Sequence, residues 1–175
     1  VTNEENLKMI QNTISYLVKK GKQVIYDGEH FFDGYKENPD YAIKTLLAAL
    51  ESKADKVVLC DTNGGTLYFE INKIIKELKS SIGELCFGIH THNDTGMAIP
   101  NAIEAVKQGA SQVQGTINGV GERCGNADLI TIIANLHLKM GFNVLNGESS
   151  VRNLTNLSRY VNKIANRSDD LSQSY

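Results

Sequence analysis

Apolar residues along the chain follow two alternating spacings, one typical of amphipathic helices and the other typical of buried strands. Apolar positions three to four apart predict helices in five segments: 4–20, a stretch opened by 38–40, 66–79, 95–108 and 127–140. Short runs of apolar and β-branched residues predict four strands between them: 23–27, 56–60, 85–90 and 112–117. This alternation predicts an α/β fold with a parallel sheet and helical crossovers.

The spacing of the predicted strands fits one particular parallel fold. Their centres lie near residues 25, 58, 88 and 114, and a (β/α)8 barrel of about 250 residues has about 31 residues in each unit. The chain holds about four such units after a leading helix. It is therefore either a complete open α/β sheet or the second half of a longer barrel. Neither composition nor periodicity decides between the two.

Composition argues against several classes of protein. Among 175 residues, 18 Lys and Arg against 20 Asp and Glu give a formal net charge of −2, whereas nucleic-acid-binding domains usually carry a large basic excess. No apolar run approaches the roughly 20 residues that cross a bilayer. We therefore expect neither a nucleic acid nor a membrane as partner. Three widely separated cysteines, Cys60, Cys86 and Cys124, fit reduced thiols in a cytoplasmic protein.

Polar motifs follow all four predicted strands. They occupy residues 27–30, 61–65, 90–94 and 118–126. The connections that lead from each helix to the next strand carry no comparable motif. Because chemistry gathers at the carboxyl ends of parallel strands in both open sheets and barrels, we expect an active-site face there.

Two histidines at the end of the third strand are candidate metal ligands. His90 and His92 are two positions apart, and side chains two apart on a strand point the same way. Two such imidazoles can chelate a divalent cation, although they also fit a polar loop without metal. Asn93 and Asp94 are candidates to hold the second nitrogen of each ring. Asn126 offers an amide oxygen to Mg, Mn or Zn. The alternative is that it caps the helix predicted after it, and one residue can do both.

Side chains at the first two strand ends are candidates for the remaining chemistry. Partial burial would raise the pKa of Glu29 and make this carboxylate a candidate acid or base, and Asp27 is similar. The alternative for both is an ordinary solvated loop carboxylate. Thr62 lies in a glycine-containing segment and offers its hydroxyl to a small anionic substrate, unless that segment only caps the next helix.

Four segments in series resemble one enzyme family. Residues 27–35 (DGEHFFDGY), 59–66 (LCDTNGGT), 88–96 (GIHTHNDTG) and 114–126 (QGTINGVGERCGN) are similar to the catalytic barrel of the alpha-isopropylmalate, homocitrate and citramalate synthases. The first two segments look closest to the citramalate synthases. The resemblance covers nearly all of residues 1–145. It implies that they form the C-terminal half of a TIM (β/α)8 barrel, equivalent to its strands five to eight.

The resemblance also implies an activity and its site residues. These enzymes of branched-chain amino-acid biosynthesis condense acetyl-CoA with a 2-oxo acid, and they use a divalent metal ion. Pyruvate is the favoured oxo acid here and 2-oxoisovalerate the next. Matching positions imply three metal ligands, one catalytic carboxylate and two substrate-binding groups: His90, His92 and Asn126; Glu29; and Asp27 and Thr62.

The chain departs from the family pattern in one respect. The Arg-Asp-Gly motif that supplies a further metal ligand after the first barrel strand does not occur here. We therefore expect a fragment of a synthase, inactive or nearly so by itself, in which residues 146–175 begin a helical linker. Open sheet edges predict self-association, as a homodimer or otherwise. An idle fragment and a metal-dependent aldolase or lyase of the same superfamily are the alternatives.

Overall fold

The computed structural model describes residues 1–145 and 148–168 of the chain. Its helices and strands are, in chain order, α1 (Asn3–Lys19), β1 (Ile25–Gly28), α2 (Phe31–Glu37), α3 (Pro39–Glu51), β2 (Lys56–Asp61), α4 (Tyr68–Ile82), β3 (Phe87–Thr91), α5 (Ala98–Lys107), β4 (Gln112–Gln114), α6 (Leu129–Ala134) and α7 (Glu148–Ile164). A short 3-10 turn, Ile117–Gly119, follows β4, and α6 continues into a π-helical segment, Asn135–Lys139.

The four strands form one parallel sheet in the order β1-β2-β3-β4. This order confirms the predicted α/β class, in which helices carry the chain back between parallel strands. Strand β4 ends at Gln114, three residues earlier than the sequence pattern predicts. Beyond it the backbone of Thr116 bonds to Ala127 and Leu129 instead of to β3, so the chain leaves the sheet and forms a loop at its carboxyl end.

The two faces of the sheet carry different side chains because residues alternate along each strand. Side chains facing the helices are apolar, fully buried and part of the main hydrophobic core: Val57, Leu59, Phe87 and Ile89. On the other face the strand register aligns Cys60 with His90, and His90 with Gln114. The sheet therefore presents its histidine and glutamine on the face that the helices do not cover.

Helix α2 was not predicted from the sequence. Its seven residues are too few to show a helical stripe, yet Phe31, Phe32 and Tyr35 are all buried. The rings of Phe31 and Phe32 meet edge to face with centroids 5.7 Å apart. His30 just before the helix has a φ of 54°, a left-handed conformation that turns the chain straight from β1 into α2. The packing of α2 thereby fixes the residues at the end of β1.

Helix α7 packs beside the loop that follows β4. The Nδ2 group of Asn118 donates to the main-chain oxygen of Ser158 at 2.9 Å and to Oδ1 of Asn162 at 2.7 Å. This helix lies within 146–175, the predicted start of a linker, of which residues 146–147 and 169–175 lie outside the described residues. The boundary at residue 145 remains a prediction. No helix of the described ranges has both the length and the apolar character needed to span a membrane.

Candidate metal centre

The two histidines of the third strand end point toward each other. His90 is the fourth residue of β3, and His92 follows the strand directly. Their Nε2 atoms are 3.3 Å apart, with ring centroids 5.1 Å apart. Two nitrogens that each lie about 2.1 Å from a shared cation are about 3.0–3.4 Å apart at bond angles of about 90–110°. The observed separation fits the chelation of one divalent cation by the pair.

Burial favours the state in which His92 can bind a cation. The residue is 8% exposed, and desolvation, assisted by the nearby His90 and Arg123, lowers the pKa of His92 below its usual value. A lowered pKa keeps the imidazole neutral, and only a neutral ring can bind metal.

Asn126 is held next to His92 by the main chain. The two residues pair as an antiparallel bridge, which places Cα atoms about 4.5–5.5 Å apart. Among the described residues, the buried Oδ1 atom of Asn126 has no hydrogen-bond partner. The helix-capping alternative is wrong, because α6 begins at Leu129 and its N-cap is Asp128, which accepts from the Ile130 N–H at 3.0 Å. A buried oxygen without a protein partner is available to an ion, a ligand or a water.

The segment of residues 119–126, called here the glycine loop, brings this amide into place. Asn126 N–H donates to the Gly119 oxygen at 3.0 Å, and the Gly125 oxygen accepts from Asn93 N–H at 2.9 Å. Gly121 lies so close to the Asn126 side chain that a Cβ there would be 2.5 Å from Oδ1. The loop therefore needs glycine at position 121 for close packing on the amide.

The second nitrogen of His90 has a partner that the sequence analysis did not identify. Nδ1 of His90 and Oε1 of Gln114 are 2.8 Å apart, and Gln114 Nε2 donates to Oδ1 of Asp27 at 3.0 Å. Asn93 and Asp94 do not hold the rings as predicted. Asn93 Oδ1 accepts instead from an N–H of α5, and Asp94 pairs with Arg123. The missed signal was the register, in which Gln114 is the Cα partner of His90.

Glu29 and Thr62 lie together at the ends of β1 and β2, and Glu29 is exposed, so the expected partial burial is wrong. The Thr62 hydroxyl donates to Glu29 Oε2 at 2.9 Å and accepts from the His30 N–H at 2.7 Å. Thr62 does not cap α4, whose N-cap is Leu67. Burial, together with the charges of Glu29 and Asp27, raises the pKa of the Cys60 thiol. The two carboxylates therefore lie near the strand position that pairs with His90.

Arg123 joins the loops that carry these groups. Its guanidinium donates twice to Asp94, at 2.8 and 3.1 Å, and once to the Thr62 main-chain oxygen at 2.6 Å. Beneath the Thr62 segment, Asp61 accepts from Thr66 at 2.8 Å and from Asn101 at 3.3 Å. Burial raises the pKa of Asp61, and the hydrogen bonds from Thr66 oppose that shift. These contacts fix the Thr62 loop from both sides.

The chain matches a known family along most of its length. A family model described as HMGL-like covers residues 1–161. The chain belongs to the HMGL-like family. It is 54% identical over 172 residues to the (R)-citramalate synthase of Geobacter sulfurreducens, covering 98% of this chain and 32% of that protein. It is 33% identical over 163 residues to the 2-isopropylmalate synthase of Sulfolobus acidocaldarius, covering 92% of this chain and 40% of that protein. The resemblance to these synthases is confirmed.

Solved structures decide the choice between the open sheet and the barrel. This HMGL-like chain superposes on the HMG-CoA lyase of Bacillus subtilis with a TM-score of 0.76 at 16% identity, over 95% of its own length and 58% of the lyase. The match shows the fold, which is that of part of a TIM barrel. The chain spans about a third of the length of the citramalate synthases that it matches.

The described residues of this HMGL-like chain do not contain a complete carboxylate-rich metal site. No group of three His, Cys, Asp or Glu side chains in that part of the chain is placed to hold an ion. The candidate donor set is two imidazoles and one amide oxygen. These donors suit Mg, Mn or Zn.

Proposed function

We propose that this chain supplies part of the active site of an enzyme that condenses acetyl-CoA with a 2-oxo acid. The observation that carries the proposal is the convergence of the His90 and His92 Nε2 atoms, 3.3 Å apart, beside the Asn126 amide oxygen, which has no hydrogen-bond partner among the described residues. Pyruvate is the favoured oxo acid, because identity to relatives named (R)-citramalate synthase exceeds identity to those named 2-isopropylmalate synthase.

His90, His92 and Asn126 would hold the metal ion. Bound there, a divalent cation supplies Lewis acidity toward the keto oxygen of the oxo acid. The chain's own contribution is to hold both imidazoles convergent, to keep His92 neutral through burial, and to bring the amide beside them. Because the fold holds the two imidazoles in place before a cation binds, the geometry of the metal site is set in advance.

Glu29 and Thr62 would act on the organic substrates. In the free chain the Thr62 hydroxyl donates its proton to Glu29 Oε2 while the His30 N–H holds the hydroxyl oxygen. When an oxo acid binds, the same proton would turn to the substrate carboxylate. Oε2 then loses its hydrogen bond from Thr62 and can accept a proton, so Glu29 can act as a catalytic carboxylate.

The decisive experiment replaces the matching segment of the Geobacter sulfurreducens relative with this chain and measures CoA release. We expect the chimaera, supplied with acetyl-CoA and Mn²⁺ or Mg²⁺, to release CoA faster with pyruvate than with 2-oxoisovalerate or 2-oxoglutarate. The variant Glu29→Gln should lose about 10²-fold or more in kcat. Glu37→Gln, an exposed glutamate at the end of α2, is the matched control and should keep full activity.

Each alternative predicts a different result from the same preparation. A chimaera that is folded by circular dichroism and binds metal, yet releases no CoA with any oxo acid, would indicate an idle segment. Cleavage of a hydroxyacyl-CoA without condensation would indicate a lyase or aldolase. The 175-residue chain alone should show little or no condensation.

We further propose that the free chain self-associates in the cytoplasm. Strands β1 and β4 are the outer strands of the sheet, and Ile25 on β1 is 42% exposed. A groove beside β4 is lined largely by apolar side chains, including Val113 and Ile133. Unpaired edges and apolar patches promote association. Light scattering should give a mass above 19.2 kDa, and a clean monomer at micromolar concentration would contradict the proposal.

A further inference from the structure

A chain of three side chains crosses the open face of the sheet and ends at Nδ1 of His90, a candidate metal ligand. Asp27 lies on β1, Gln114 on β4 and His90 on β3 between them in the sheet. The distances are 3.0 Å from Gln114 Nε2 to Asp27 Oδ1 and 2.8 Å from Gln114 Oε1 to His90 Nδ1. Both lie within the normal range for hydrogen bonds.

The chemistry of these groups fixes the direction of both hydrogen bonds. An ionised carboxylate only accepts, so Asp27 requires the NH2 end of the Gln114 amide. The amide oxygen then faces Nδ1 of His90 and can only accept. A neutral His90 must therefore carry its proton on Nδ1, which leaves a lone pair on Nε2, the atom that faces His92.

His92 does not share this support. Among the described residues its buried Nδ1 atom has no hydrogen-bond partner. Because the His92 ring can take either tautomer, its Nε2 can donate to His90 or accept from it. The contact between the rings thus does not set the tautomer of His90, and the Gln114 amide does.

We propose that Gln114, oriented by Asp27, is a positioning residue that holds His90 as the Nδ1–H tautomer with Nε2 ready to bind a cation. The role of this tautomer rests on the proposed metal centre, whereas the hydrogen bonds that set the tautomer do not depend on a metal. It gives Asp27 a part in the metal centre that differs from the substrate contact predicted for it. Neither residue touches the cation, and both act through His90.

The test measures the tautomer and the metal affinity of the 175-residue chain separately. Long-range proton–nitrogen NMR spectra of ¹⁵N-labelled histidine rings distinguish Nδ1–H from Nε2–H in the metal-free protein, at a pH where the rings are neutral. Zn²⁺ affinity is measured by competition with a chromophoric chelator. The variants are Gln114→Leu and Asp27→Asn. Gln112→Leu is the matched control, two residues earlier on the same strand and the same face.

The wild-type chain should show His90 as Nδ1–H. We expect Gln114→Leu to shift His90 toward Nε2–H and to weaken Zn²⁺ binding about 10–100-fold, the usual effect of losing the partner of a ligating histidine. Asp27→Asn should give an intermediate shift, because an amide at position 27 no longer dictates how the Gln114 amide points. Gln112→Leu should change neither quantity.

Three results would overturn the inference. The first is an unchanged His90 tautomer in Gln114→Leu. The second is a tautomer change with the same Zn²⁺ affinity as Gln112→Leu. The third is a wild-type His90 that is already Nε2–H. A wild-type chain that shows the expected tautomer but binds no Zn²⁺ would instead refute the metal centre, so the two failures are distinguishable.

Discussion

A single methyl group at position 121 should weaken metal binding without unfolding the chain. In Gly121→Ala the new Cβ would lie 2.5 Å from Oδ1 and 2.8 Å from Cγ of Asn126, whereas real Cβ contacts essentially never fall below 3.0 Å. The amide oxygen must therefore retreat by about 0.5 Å or more, which exceeds the tolerance of about 0.2 Å for metal–ligand distances.

The expected cost is a loss of affinity of about 10–100-fold, or about 1.4–2.7 kcal/mol. Gly121 is exposed and does not have a left-handed φ, so alanine introduces no backbone strain there. We expect the free energy of unfolding to change by less than about 1 kcal/mol. Zn²⁺ affinity is measured by chelator competition and stability by urea denaturation of the same samples.

Gly34→Ala is the matched control for this prediction. A Cβ at Gly34 in α2 would meet no atom of the described residues within 4 Å, and alanine inside a helix is more favourable than glycine by about 0.5–1 kcal/mol. The control should keep wild-type affinity and gain a little stability. Gly121→Ala with wild-type affinity and wild-type stability would refute the assignment of Asn126 as a ligand.

Two further predictions concern the supports around the site. Arg123→Ala removes the bonds to Asp94 and to the Thr62 oxygen. Amide hydrogen exchange should therefore accelerate in both connected loops, while the melting temperature stays nearly unchanged. Equal exchange rates in the variant and the wild type would contradict this prediction. Asn101→Ala removes a fully buried hydrogen-bond partner of Asp61. Urea denaturation should show a loss of stability of about 1–3 kcal/mol. An unfolding midpoint equal to that of the wild type would contradict this prediction.

Local patterns in the sequence predicted those features that depend on near neighbours along the chain. The two-residue spacing of His90 and His92 on a strand suffices to bring their rings together, and the structure shows it. The role of Asn126 was undecidable from sequence, because a ligand and a helix cap have the same local signature. The structure removes the cap alternative, since Asp128 caps α6 two residues later.

Features that depend on distant residues escaped the sequence analysis for a physical reason. Asp27 and Gln114 are 87 positions apart, and no local periodicity couples them. The sequence therefore suggested Asn93 and Asp94 as partners of the histidines, simply because they are adjacent. Their side chains instead bond to α5 and to Arg123. Helix α2 was missed because burial of a few aromatic rings, rather than a repeating stripe, stabilises it.

The contact between Asp27 and Gln114 also shows that the four strands are curved as in a barrel. In a flat sheet the outer strands β1 and β4 would be separated by three spacings, about 14 Å. The two side chains reach roughly 9 Å together at full stretch, and the hydrogen bond adds only 3.0 Å. Gln114 is also two residues beyond the level of Asp27 in the register, which lengthens the span. The bond can form only if the sheet bends toward its open face, so the same contact that orients His90 requires the curvature that closes a TIM barrel.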